Sequence, residues 1–107
     1  MAATNTASGS SATHTVQVGA SGFVYSPDSV TAAKGDILEF HFTGTNLHDV
    51  VQGTFSNPCS NNDGIYSGYP STSDVFQVMV NSTDPMWMYC STPGHCQGGM
   101  AMVVNQA

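Results

Sequence analysis

Cys90-Ser91-Thr92-Pro93-Gly94-His95-Cys96-Gln97-Gly98-Gly99-Met100 is the stretch around which the rest of this 107-residue chain is organised. It sets a thiol, an imidazole and a thioether at equal intervals, Cys-x4-His-x4-Met. That mixture of soft donors suits a copper ion cycling between Cu(I) and Cu(II). A fourth donor has to come from elsewhere, and His48 is the best candidate. On either side, Met86 to Tyr89 and Met100 to Val104 are apolar runs that read as strands, with a Gly- and Pro-rich turn between them. One loop joining two adjacent strands would then carry three ligands whose places the sheet sets.

Length and composition bound the rest. The chain is long enough for one core and too short for two, so a single domain is expected. Lys34 is the one Lys or Arg against seven acids, a formal charge of −6. Nothing basic is present to neutralise phosphates, which argues against a nucleic-acid partner. No basic amphipathic stretch suits an anionic membrane surface, and no apolar run approaches the roughly 20 residues that span a bilayer. The start, Met1-Ala2-Ala3-Thr4, lacks the regions of a signal peptide. Even so, residues 4–13 (TNTASGSSAT) resemble a solvated, glycosylatable leader, and Asn81-Ser82-Thr83 is an N-glycosylation sequon. The expected organisation is a leader over residues 1–13 and a domain over 14–107. We read the chain as a secreted or cell-surface domain without its targeting segment.

Period-two alternation marks the strands. His14 to Val18 points Val16 and Val18 inward, and Ile37 to Phe42 points Leu38, Phe40 and Phe42 inward. His41 then shares the solvent face with Glu39, and His14 reads as structural. Short extended pieces are expected at Phe23 to Ser26 and Ser29 to Ala32, with turns at Gly19 to Gly22 and Lys34 to Asp36. Gly53 to Ser73 is a long connection with Phe55, Ile65, Tyr66 and Tyr69 as possible anchors and Cys59 as the residue expected to pin it. Asp74 to Val80 reads as a strand with Phe76, Val78 and Val80 inward. If Cys90 points inward, so do Met88 and Met86, as core filler, and Trp87 and Tyr89 face outward. No segment shows helical periodicity over ten residues. Seven or eight short strands in a two-sheet, Greek-key, all-β sandwich fit this pattern.

The Cys-x4-His-x4-Met loop with an isolated upstream histidine resembles the copper loop of the cupredoxins, the small blue copper proteins. Plant phytocyanins and the cupredoxin-like domains of fungal secreted serine-rich proteins are most similar, over roughly residues 14 to 105. The resemblance implies the cupredoxin fold and one copper per chain, held by His48, Cys90, His95 and Met100. Leu47-His48-Asp49-Val50-Val51-Gln52 matches the family's first histidine segment, followed by Phe55 and Pro58-Cys59. The departure is Leu47, where the family has an Asn that stitches the two ligand loops together. Leu47 cannot make that stitch and would instead add to an apolar rim. Of three cysteines, Cys90 goes to copper and Cys59 pairs with Cys96, as the phytocyanin-like families do. Closing that span is worth about 3–5 kcal/mol. The competing reading is three buried thiols in a reducing compartment.

Other donors are weaker. Met102 shares a face with Met100 but lacks the family spacing, and Gln97 comes three residues too early. Zinc accepts a Cys and two His but seldom recruits Met. The resemblance implies electron transfer, with the His95 edge as the port because Pro93, Gly94, Gly98 and Gly99 leave it clear. Tyr89 is a second exit through the thiolate, or a plain surface tyrosine. The partner is expected to be a redox protein or a small redox molecule, and the chain to be monomeric. A copper-sequestering surface module is the alternative. An enzyme is not expected: four scattered histidines cannot supply the paired His-x-His motifs of a multicopper oxidase, and no catalytic triad or carboxylate pair stands out.

Overall fold

The computed structural model describes residues 12–20, 22–43, 48–56, 59–62, 64–69 and 74–106. Its strands are β1 (Thr13–Val18), β2 (Tyr25–Ser26), β3 (Ser29–Val30), β4 (Ile37–Phe42), β5 (Val51–Gly53), β6 (Val75–Met79), β7 (Met86–Tyr89) and β8 (Ala101–Val104). They form two four-stranded sheets, ordered β2-β1-β4-β6 and β3-β8-β7-β5. Each sheet is mixed, because β1 runs parallel to β4 and β3 parallel to β8. No helix occurs among the described residues. The all-β sandwich read from the alternation is therefore what the chain forms. β1 begins one residue before His14, and most of the expected leader, residues 1–11, lies outside the described residues.

Alternation explains the core. Leu38, Phe40 and Phe42 are buried on one face of β4, while Ile37, Glu39 and His41 are half-buried on the other. The parallel register sets Val16 beside Phe40 and Val18 beside Phe42. Met88, Met102 and Val104 close the same cluster from the second sheet. Each such side chain contributes about 1.5–3 kcal/mol relative to exposure. β6 is an edge strand, so its inward residues Phe76 and Val78 are only half-buried, and Val75 and Met79 are exposed.

The outer face of the second sheet departs from expectation. Antiparallel pairing aligns Val51, Tyr89 and Ala101 in one row. The Cys59–Cys96 disulfide crosses that row, and Val51, Tyr89 and Cys96 form a second buried cluster with Cys59 and Ala101 against it. Tyr89 does leave the main core as period two requires, yet the face it turns to is covered. The outward, exposed Tyr89 of the sequence reading is thereby corrected. Trp87, on the same face, is half-buried with Phe55 5.2 Å away.

The disulfide pins the long connection as expected, but the aromatic anchors do not. Phe55 is 77% exposed, Tyr66 and Tyr69 are also exposed, and Ile65 alone of the four packs on the core. Gln52 does the remaining work. Its N–H donates to the Ile65 carbonyl at 2.9 Å, its carbonyl accepts from Asn62 N–H at 3.0 Å, and its Oε1 accepts from Ile65 N–H at 3.2 Å. Ser67 adds Val50 N–H to its Oγ at 2.8 Å. Polar main-chain pairing thus takes the place of the aromatic anchors, beside the expected disulfide.

Candidate metal centre

β7 and β8 are adjacent and antiparallel, so the residues just past their ends meet: Cys90 N–H donates to the Met100 carbonyl at 3.1 Å. Between them the chain folds into a compact turn. His95 N–H reaches the Thr92 carbonyl at 3.0 Å, and Met100 N–H reaches the His95 carbonyl at 2.9 Å. Gly94 and Gly99 have φ of 84° and 109°, a region that glycine enters without penalty. The three donors of the opening stretch are thus tied to one another through the main chain. Cys90, His95 and Met100 are all buried.

His48 arrives from the segment just before β5 and is also buried. Gly19, at the end of β1, is packed against its ring. A Cβ there would stand 2.5 Å from His48 Cδ2 and 2.7 Å from Nε2, and φ is +81°. Only glycine fits. From the same bend, Phe23 lays its ring over His95, with centroids 3.9 Å apart and planes 20° apart. His95 is 7% exposed and Phe23 46%. The open His95 edge expected from the glycines around it is corrected here, because the cover comes from a distant part of the chain.

Cys90 Sγ lies 3.7 Å from His48 Nδ1 and 3.5 Å from His95 Nδ1. The three ligand atoms all fall within 4.8 Å of one another. A first-row metal with bonds of about 2.3 Å to sulfur and 2.0 Å to nitrogen, at 120°, holds S and N about 3.7 Å apart. The two sulfur–nitrogen edges therefore match such an ion. Burial, then the neighbouring His95, holds the His48 imidazole below its ordinary pKa, against an opposing pull from Asp49. A neutral imidazole is the form that binds metal. Two His, one Cys and a buried thioether form the donor set of a blue copper site. Gln97 is exposed, whereas Met100 and Met102 are both buried in the core cluster.

The other two histidines stand apart. His14 Nε2 meets Asp36 Oδ2 at 2.8 Å, the structural role expected of it, and His41, on the Glu39 face as expected but half-buried, meets Glu39 Oε1 at 2.6 Å. Cys59 and Cys96 are bonded, which leaves Cys90 free. Leu47 lies outside the described residues. The stitch between ligand loops is nonetheless present, made by Asp49. Ser91 N–H donates to Asp49 Oδ1 at 2.7 Å and the Ser91 hydroxyl donates to Oδ2. Sequence reasoning looked for this link before His48 and missed it after. Gly19 and Phe23 were read only as a strand break and an extended piece. Their one signal was the cluster of glycines, which frees the bend to approach the site.

Residues 12–100 match the family model described as a plastocyanin-like domain. A probable GPI-anchored cupredoxin-1 of Arthroderma benhamiae is 38% identical over 85 residues, covering 78% of this chain and 45% of the relative. The chain thus spans less than half the length of that relative. Among solved structures, a purple cupredoxin from Nitrosopumilus maritimus superposes with TM-score 0.72 at 14% identity, covering 84% of this chain and 95% of the other. Spinach plantacyanin superposes with TM-score 0.58 at 27% identity, covering 88% and 100%. With the fold, the Cys90 loop and the family match in agreement, this chain belongs to the cupredoxins, a family that binds one copper ion per domain.

Proposed function

We propose that His48, Cys90 and His95 hold one copper ion in a plane, that Met100 is a distant fourth donor, and that the protein carries single electrons outside the cell. The observation that carries this reading is the buried triangle of Cys90 Sγ and two Nδ1 atoms at 3.7 and 3.5 Å. Copper supplies a one-electron Cu(II)/Cu(I) couple when bound. The protein's part is to keep the donors where they are in both states. Main-chain bonds tie Cys90 to Met100 and Met100 to His95, and Gly19 packs against His48. Little has to move when an electron comes or goes, which favours rapid transfer.

Met100 is preferred to Met102 because its main chain bonds to both Cys90 and His95. The route for electrons runs from His95 through the stacked, half-exposed Phe23 ring. Tyr89 is buried and serves no exit to solvent. Cupredoxins are electron carriers and generally not enzymes, and a redox protein or small redox molecule is the partner expected for this one. A location at the cell surface follows from relatives named as a GPI-anchored cupredoxin and an extracellular serine-rich protein. No helix among the described residues is long and apolar enough to cross a membrane. Asn81 lies exposed at a strand end, open to glycosylation.

Copper sequestration is the second reading, favoured by the burial of all three donors. Stopped-flow mixing of the copper protein with small one-electron reagents separates the two. Rapid, reversible exchange is expected for a carrier. Slow exchange with very tight Cu(I) retention would establish sequestration instead.

A further inference from the structure

Asp49 is a buried acid whose charge has no part in holding or exchanging the metal as described so far. It directly follows His48, and its partner Ser91 directly follows Cys90, 42 positions along the chain. Asp49 is 0% exposed. Both of its oxygens accept from Ser91, one from the N–H and one from the hydroxyl, and its carbonyl accepts from the Tyr25 hydroxyl at 2.5 Å. A group that accepts on both oxygens is used as a carboxylate rather than as an amide, which has one accepting oxygen.

A buried carboxylate is costly unless a cation offsets it. Among the described residues, the ion pairs are His14 with Asp36 and His41 with Glu39, and neither reaches Asp49. Lys34, the one Lys or Arg in the chain, lies in the turn before β4. The cationic partner that the surroundings offer is the metal centre, whose two ligand strands Asp49 joins. Burial, then the charges of Cys90 and Asp49, pushes the Tyr25 phenol far above its ordinary range. Burial and Asp49 also raise Tyr89.

We propose that Asp49, beyond joining the His48 and Cys90 loops, is a positioning residue whose carboxylate, a negative charge beside both ligand strands, biases bound copper toward Cu(II). Copper with its thiolate carries one more positive charge when oxidised than when reduced. A nearby anion therefore stabilises the oxidised form and lowers the reduction potential. An amide in the same place closes a similar clamp without the charge. The centre is accordingly set as an electron donor of low potential among clamps of this shape. This inference rests on the copper reading proposed above.

The test is voltammetry of the copper-loaded full chain with Asp49→Asn and with Ser91→Ala, alongside visible spectra. Asp49→Asn keeps the clamp's shape and the thiolate band while the Cu(II):Cu(I) affinity ratio falls roughly tenfold. For one electron that is a rise of about 59 mV. Ser91→Ala removes a donor that disperses the charge, so its potential moves less and in the opposite direction, downward. A clamp of purely structural importance would move both variants the same way, which would overturn the inference, as would an unchanged or lowered potential in Asp49→Asn. If Asp49→Asn does not fold, Ser91→Ala carries the test alone: a lower potential supports the inference, and an unchanged or higher one overturns it. Absence of a thiolate band in the unsubstituted protein would instead sink the copper reading itself.

Discussion

The two ends of β1 show how the same side chain is put to different use. At its start, His14 meets the Asp36 carboxylate at 2.8 Å. At its finish, Gly19 packs against the His48 ring, which faces Cys90 Sγ across 3.7 Å. Six residues of strand separate these ends by roughly 20 Å. At the first end the imidazole has one carboxylate beside it and, among the described residues, no second soft donor. At the other it is buried with a thiol and a second imidazole, a donor set that suits a soft metal. The partner, rather than the histidine, decides the role.

The largest expected effect comes from removing histidines from each of the two groups in turn. His95→Ala should weaken copper binding by more than about 100-fold, since even the loss of an outer partner costs 10–100-fold. His14→Ala and His41→Ala should stay within about twofold of the parent, the range for changes away from a site. Competition titration against a chelator of known affinity measures this. Equal losses in all three would erase the distinction.

Next comes the disulfide that covers the outer face beside the site. Replacing Cys59 and Cys96 together by Ser should cost about 3–5 kcal/mol, a fall in Tm of roughly 10–30 °C for a domain of this size. Calorimetry of the apo protein gives the value. A fall of less than about 5 °C would mean that Gln52 pins the long connection alone.

Glycine substitutions sharpen the contrast between the ends at smaller cost. Gly35 has φ +95° and open space around its Cβ position, so Gly35→Ala incurs only backbone strain, about 1–2 kcal/mol. Gly19→Ala adds about 1–3 kcal/mol of overpacking against His48, and it alone should also weaken copper binding. Denaturant melts of both variants supply the comparison. Equal stabilities would show that the His48 ring moves aside freely.

The smallest effect is acid sensitivity at the far end. The His14 hydrogen bond, then the Ala12 and Ala33 N–H groups, lowers Asp36 from 3.8 to about 2. A depressed carboxylate contributes stability that is complete above about pH 4 and lost as pH falls toward 2. Parent and Asp36→Asn should therefore differ at pH 5 and converge near pH 2. A difference that persists unchanged to pH 2 would refute the assignment.

Much of this was legible in the sequence because it is local. Leu38, Phe40 and Phe42 alternate within one strand, and Cys90, His95 and Met100 sit on one loop, so neither depends on how distant segments meet. Tyr89 is different. Period two put it on the correct face, but its burial depends on Cys59 arriving from thirty-seven residues before Cys96. Phe23 over His95 and Gly19 against His48 are likewise contacts between remote segments that no periodicity encodes. Asp49 was visible beside His48, but its partner Ser91 is brought to it only by the folded sheet.

The central claim is that Cys90, with His48 and His95, forms a thiolate copper site. The most direct measurement is a visible absorption titration with Cu(II), run beside Cys90→Ser. An intense blue band saturating at one copper per chain, and absent from the variant, is the predicted result. A pale, weak band of equal strength in both proteins would contradict the account.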